Sequence, residues 1–186
     1  MGNSIIGRGL LITVCRVDHA STKLTMSQGK GFPDLATQRF IRACVSHRAT
    51  LQHGALPLIL GLLDYDPDGI KILDVYRNGS RTLAHERAYH VPEMKWLGLK
   101  PDVFARGNED AATIPLKPRD VAKIKSILVA NVEAPLGRGL GAESRTALQW
   151  MKMLNRKAEI QILEDMPGGM DQWLMERIEE ELCKAS

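Results

Sequence analysis

The chain has 186 residues, of which 44% are apolar and 25% charged, and its formal net charge is +3. That is the size of one ordinary domain, able to bury about 70% of its unfolded surface without help from disulfides. The composition excludes a disordered or collagen-like chain, and the longest apolar run, Leu56–Leu63, is far too short to span a bilayer.

In chain order, Leu10–Thr13 is a short β-branched apolar run and predicts a strand. Pro33–Arg48 predicts a helix with Pro33 at its first turn, its apolar side formed by Leu35, Ala36, Phe40, Ile41 and Val45. Leu56–Leu63 predicts a strand covered on both faces. It ends in Asp64-Tyr65-Asp66-Pro67-Asp68-Gly69, after which Gly69–Tyr76 reads as helix broken at Asn78-Gly79. Met94–Leu99 predicts another strand and Pro118–Val129 an amphipathic helix. Glu133–Ala142 is a glycine-rich loop, Ser144–Glu164 one long helix, and Trp173–Leu182 a last helix after the Pro167-Gly168-Gly169 break. The three tryptophans, Trp96, Trp150 and Trp173, fall on apolar faces and read as core. Alternating strands and helices predict an α/β fold with parallel strands.

Charge is unevenly spread. Arg8, Arg16, Lys23, Lys30, Arg39, Arg42 and Arg48 face only Asp18 and Asp34 in the first third. Glu164, Asp165, Asp171, Glu176, Glu179, Glu180 and Glu181 dominate the end. The front is a candidate surface for a polyanion; the alternative is a pair of solvated helix faces. The three cysteines are odd in number and far apart, which signals neither a zinc ribbon nor a redox dithiol and fits a reducing intracellular compartment. No secretory h-region opens the chain.

Two segments carry chemistry. Asp64, Asp66 and Asp68 follow a buried strand, where open α/β sheets place ligands. Carboxylates there suit a hard cation such as Mg²⁺, which shares its coordination with phosphate. An EF-hand reading fails because its twelfth position is Val75 rather than Glu. The remaining alternative is a polar turn in which one Asp caps the helix. The second segment, Gly29-Lys30-Gly31-Phe32-Pro33-Asp34, precedes a helix and permits close approach to phosphate. It is no Walker loop, since Leu24 stands where the first Gly would be and Gly31 where Ser or Thr would follow the Lys.

Together GKGFPDLATQRF (Gly29–Phe40) and LLDYDPDGIKILDVYRNGS (Leu62–Ser80) resemble the A subunit of archaeal DNA topoisomerase VI and its eukaryotic relative, the family that makes meiotic double-strand breaks. MKWLGLKP (Met94–Pro101), IPLKPRDVAKIKSIL (Ile114–Leu128) and MLNRKAEIQIL (Met153–Leu163) are similar to later parts of that family, so the resemblance spans residues 6–13 and 29–180. It implies a Toprim domain, an α/β fold whose parallel sheet is flanked by helices, with a C-terminal helical extension. On this reading residues 1–110 form a partial Toprim core whose first strand is missing, and residues 111–186 a mainly helical part packed on it. No N-terminal winged-helix domain is recognised.

The resemblance carries the family's D-x-D metal ligands onto Asp64 and Asp66 and implies Mg²⁺ as cofactor. Lys30 becomes a phosphate contact. Phe32 either approaches DNA or staples onto the following helix, and Arg39 and Arg42 extend the basic surface. Asp68 reads as a helix cap and Asp74 as a surface charge. The family's upstream metal-ligand Glu has no match, and Tyr65, Tyr76 and Tyr89 all fall within the Toprim-like region, so none matches its nucleophilic Tyr. The expected function is a Mg²⁺-dependent, DNA-binding subunit, cleavage-inactive alone, from a family of ATP-hydrolysing type II topoisomerases. Implied partners are duplex DNA and either a second copy or a topoisomerase VI B-like subunit, in the nucleus and without a membrane. The alternatives are a non-catalytic interaction or dimerisation module, and a truncated gene model. Val14–Gln28 separates the first strand from GKG where the family runs almost directly, and reads either as a translated intron or as a loop insertion.

Overall fold

The computed structural model describes residues 10–16, 22–28, 35–50, 58–79, 89–100, 113–132 and 139–185. Its elements are β1 (Leu10–Arg16), β2 (Thr22–Gln28), α1 (Leu35–Thr50), β3 (Leu58–Leu62), α2 (Pro67–Asn78), β4 (Lys95–Trp96), β5 (Ile114–Pro115), α3 (Pro118–Val132), α4 (Ala142–Leu154), β6 (Arg156–Lys157), a 3₁₀ turn (Ile160–Asp165) and α5 (Gly169–Ala185).

The main sheet runs β2-β1-β3-β4. β3 and β4 are parallel, with Leu60 opposite Lys95 and Gly61 opposite Trp96. β1 is antiparallel to both neighbours, pairing Leu10 with Gln28 on one side and with Leu62 on the other. β2 therefore runs in the same direction as β3 and β4, and α1 lies between β2 and β3 in chain order. The sheet is mixed rather than wholly parallel, because the short link from β1 to β2 allows only an antiparallel hairpin. Val14–Arg16 completes β1, and Thr22–Gln28 is the whole of β2.

The fully apolar β3 has Ile59, Leu60 and Leu62 buried, as a strand covered on both faces requires. α2 lays Ile70, Leu73 and Tyr76 on it at helical spacing. Each such residue contributes about 1.5–3 kcal/mol when fully buried. Pro67 is pre-organised for the first turn of α2. Gly79 ends the helix at φ 83°, its N–H donating to the carbonyl of Val75 at 2.9 Å. A Cβ there would lie 2.0 Å from Nε2 of His90, so only glycine fits. The core continues through Ile124 of α3, Leu148 and Met151 of α4, and Leu174 and Ile178 of α5.

Three sequence expectations need correction. The helix expected over Ser144–Glu164 ends at Leu154, where Asn155 turns left-handed at φ 54° and its N–H donates to the carbonyl of Met151. The chain then runs extended to reach β5 and the end of β3, contacts that helical periodicity cannot foresee. As a result Trp150, Met153 and Leu154 are exposed rather than core, whereas Trp96 is buried and Trp173 half-buried. On α1 the inward face is Gln38, Ile41 and Val45, and Ala36 and Phe40 point outward.

Candidate metal centre

β3 delivers its chain to a loop pinned from two directions. Tyr65 forms an antiparallel bridge with Ala158, N–H to carbonyl in both directions at 2.9 and 3.0 Å. Its ring packs parallel to Trp96 with centroids 6.2 Å apart. Its hydroxyl donates to the carbonyl of Ala147 at 3.2 Å. Side chains alternate along an extended chain, so burying Tyr65 leaves Asp64 and Asp66 on the other side.

Each of these carboxylates is oriented by a backbone N–H. Oδ1 of Asp64 accepts from Ile160 at 2.9 Å, and Oδ1 of Asp66 accepts from Gly69 at 2.6 Å. Asp66 is the N-cap of α2, with extended φ −146° and ψ 168°. Asp68, expected as a cap, instead pairs with Nζ of Lys123 at 2.6 Å. Asp74, expected as a surface charge, is mostly covered and bound by Lys71 at 2.7 Å and Asn78 at 2.8 Å. Gly69 is required by close approach: a Cβ there would lie 2.2 Å from the carbonyl oxygen of Asp64.

A buried ion pair stands beside the loop. Oδ2 of Asp120 meets Nζ of Lys157 at 3.0 Å, both side chains nearly covered, and also accepts the N–H of Lys117 at 3.0 Å. Lys117 is the residue before α3, so Asp120 reaches back over the first turn as the acid of a capping box does. β6 holds this corner by pairing Ile114 with Lys157 and Pro115 with Arg156. The five residues Arg156–Ile160 thus fasten the start of α3 and both ends of the Asp64-Tyr65 dipeptide to one another.

The electrostatics follow. Burial pushes the carboxyl of Asp66 above its ordinary range; the Gly69 N–H opposes this, Asp68 and Asp120 add to it, and Lys157 counters them. Burial would raise Asp120 too, but the Lys117 N–H and the Lys157 ammonium outweigh it and hold that carboxyl below the usual range. Burial drives the phenol of Tyr65 far above its ordinary value, so it stays protonated.

The predicted site residues are distributed as follows. Asp64 and Asp66 are brought together at the end of β3. Lys30 and Phe32 lie outside the described residues. The guanidinium of Arg39 lies 4.8 Å over the ring of Tyr89, and Arg42 pairs with Glu93 at 2.7 Å. The Tyr89–Glu93 segment is tied to the far end of α2 by the N–H of Val91 on the carbonyl of Tyr76. Arg39 and Arg42 thus contact a segment that joins α2 at Tyr76, ten residues along the chain from Asp66. Asp120, Lys157 and the Ile160 N–H escaped the sequence reading. The spacing Lys117-Pro118-Arg119-Asp120 carries a local cap signal, but nothing local announces Lys157 as its partner.

The donor set suits a hard cation. Asp66 keeps one carboxylate oxygen without a hydrogen bond among the described residues. Among those residues no group of three His, Cys, Asp or Glu side chains could enclose an ion. Two carboxylates can still hold Mg²⁺, which commonly takes one or two from the protein and fills its shell with water and phosphate.

An α/β sheet with paired carboxylates at the end of a central strand, opening a helix, defines a Toprim-type domain. The family formed by the Toprim domain of Spo11 and the topoisomerase 6 A subunit matches residues 16–178. The chain is 35% identical over 140 residues to meiotic recombination protein SPO11-2 of Oryza sativa subsp. indica, a match covering 72% of this chain and 31% of that protein. It is 38% identical over 106 residues to meiotic recombination protein SPO11 of Homo sapiens, covering 55% of this chain and 25% of the relative. It is 36% identical over 101 residues to the DNA topoisomerase 6 A subunit of Arabidopsis thaliana, covering 53% and 22%. The chain belongs to this Spo11/topoisomerase 6 family, and it spans about a third or less of the length of these curated relatives.

Proposed function

We propose that the chain is a Mg²⁺-dependent, DNA-binding Toprim subunit of the nuclear machinery that makes meiotic double-strand breaks. The observation that carries this reading is the pair Asp64 and Asp66 at the end of β3, each aimed by a backbone N–H on one oxygen. When bound there, Mg²⁺ would neutralise phosphate charge and fix its position. The chain's own residues do the rest. Asp64 and Asp66 hold the cation, the Ile160 and Gly69 N–H groups aim them, and the buried Asp120–Lys157 pair keeps the surrounding backbone in place.

The chain supplies the metal half of the chemistry and not the nucleophile. Its three tyrosines are otherwise engaged: Tyr65 and Tyr76 are buried, and Tyr89 lies beneath Arg39. Cleavage then requires a tyrosine from outside these 186 residues, and the partners of this reading are duplex DNA with a second copy or a topoisomerase VI B-like subunit. Duplex binding measured with and without Mg²⁺ tests the reading. The wild type is expected to bind more tightly with Mg²⁺, and Asp64→Asn with Asp66→Asn to lose that increment. An unchanged increment would remove the metal role.

A second reading, a non-catalytic interaction module, is favoured by the exposed Trp150, Met153 and Leu154 on α4. Capture of a full-length relative in the absence of DNA, abolished by Trp150→Glu, distinguishes it.

A further inference from the structure

The proposed DNA-binding site needs positive charge beside its carboxylates, and the residues that the sequence nominated do not supply it among the described residues. Arg39 is stacked on Tyr89 and Arg42 is paired with Glu93, both against the Tyr89–Glu93 segment. The cations that border the acidic loop come instead from the start of α3.

Asp120 connects the two features. Its carboxylate pairs with Lys157, whose neighbour Ala158 bridges Tyr65 between Asp64 and Asp66, and it anchors the first turn of α3 through the Lys117 N–H. Lys117 and Arg119 flank it on the solvent side. Arg119 has a side chain 78% exposed and only a loose 3.8 Å approach to Asp120, and Lys117 is exposed with no ion pair among the described residues. One turn further on, Lys123 is engaged by Asp68 at 2.6 Å. Two of the four local carboxylates therefore have their own cations, Lys157 for Asp120 and Lys123 for Asp68. Asp64 and Asp66 are the pair assigned to a metal, which leaves Lys117 and Arg119 for an anion. The α3 N-terminus adds the positive end of its dipole at the same place. The opposite polarity is found on α5, which exposes Asp171, Glu176, Glu179 and Glu180 and would repel a polyanion.

We infer that Lys117 and Arg119 form a phosphate-binding ridge beside the acidic loop. It takes the DNA backbone next to the phosphate held at Asp64 and Asp66, and so orients the duplex over α3 and away from α5. This rests on the reading of the chain as a DNA-binding subunit. The contact is to backbone phosphate, so it strengthens binding to any sequence and makes it salt-dependent.

The test measures affinity for a duplex oligonucleotide of arbitrary sequence across a salt series, for the wild type, K117A/R119A and K184A. Lys184 is an exposed cation on the acidic helix, paired with Glu181, and serves as the control. Loss of two phosphate contacts flattens the slope of log affinity against log salt by about 1.8, so the wild type loses roughly tenfold more affinity than K117A/R119A between 50 and 200 mM salt. K184A is expected to retain the wild-type slope, and K117R/R119K to restore it. Equal slopes for wild type and K117A/R119A overturn the ridge while leaving DNA binding intact. A slope flattened as much by K184A overturns it too, since the effect would then be one of net charge. Failure of the wild type to bind duplex at low salt overturns both the ridge and the function on which it rests.

Discussion

The backbone N–H of Ile160 donates to Oδ1 of Asp64 at 2.9 Å, joining residues 96 positions apart. With the Tyr65–Ala158 bridge beside it, this bond makes the C-terminal segment part of the acidic loop rather than an appendage to it. The orientation of Asp64, one of the two carboxylates proposed to hold the metal, is therefore decided by a stretch of chain far from it in sequence. Tyr65 shows the same dependence, because its hydroxyl is satisfied by the carbonyl of Ala147 on α4. Tyr65→Phe is expected to cost about 0.5–1.5 kcal/mol, the net worth of one such hydrogen bond, measured by urea unfolding. No measurable cost would show that the α4 carbonyl is equally well served by solvent.

The Asp120–Lys157 pair predicts a large and asymmetric mutational effect. Asp120→Ala leaves a nearly covered ammonium without its partner and is expected to destabilise by about 3–5 kcal/mol. Adding Lys157→Met should recover most of that loss, because an apolar side chain needs no counter-charge. Asp120 is held below its ordinary range, so the folded state binds fewer protons there than the unfolded chain. Its stabilising contribution is present above the unfolded value, about 3.9, and is lost as pH falls through the lower folded one. A denaturation series in acid should show that loss in the wild type and not in the double variant.

Asp66 has the opposite sign. Its carboxyl is raised, chiefly by burial, so the folded state keeps that proton to higher pH than the unfolded chain does. Stability falls as pH rises from about 3.9 through the folded value. Asp66→Asn retains the cap and removes the charge, so in metal-free buffer it should gain on the wild type as pH rises to neutrality. Asp66→Ala, which loses the cap, should be less stable by about 1 kcal/mol than Asp66→Asn. Parallel pH profiles for wild type and Asp66→Asn would contradict the raised carboxyl.

Gly69→Ala tests the tightness of the turn. Its Cβ would meet the Asp64 carbonyl oxygen at 2.2 Å, and backbone cannot step aside as a side chain can. An overpacking cost of about 1–3 kcal/mol is expected, together with a weakened response of thermal stability to Mg²⁺. Full retention of both would mean that the loop yields freely.

For Val14–Gln28 we propose that the segment is a translated intron. It converts what would be a direct strand-to-helix crossover into a hairpin: β2 lies wholly within it, and β1 is reversed against β3. Without it, Leu10–Thr13 would lead straight toward α1 and lie parallel beside β3, the right-handed crossover that such units adopt. Deleting Val14–Gln28 should give a chain with an unchanged or higher melting temperature, and junction-spanning transcripts should lack the corresponding bases. Transcripts that always retain them would make the hairpin a genuine insertion.

The sequence by itself determined the elements whose signals are local. The apolar run of β3, a helix following the acidic turn and the Gly79 stop can all be read in order, and the D-x-D spacing placed the carboxylates. These features depend on burial, capping and backbone freedom within a few residues. Tertiary structure alone decided which Asp caps and which pairs with a lysine, since Asp66 and Asp68 are chemically identical in sequence. It decided that the helix after Ala142 stops at Asn155, because the chain must run extended to reach Tyr65 and Pro115. It also stacked Arg39 on Tyr89 and left Lys117 and Arg119 exposed at the start of α3. Charge patterning counts cations along the chain, whereas an electrostatic site depends on their distance from the carboxylates, and that distance is set by packing between segments about fifty residues apart.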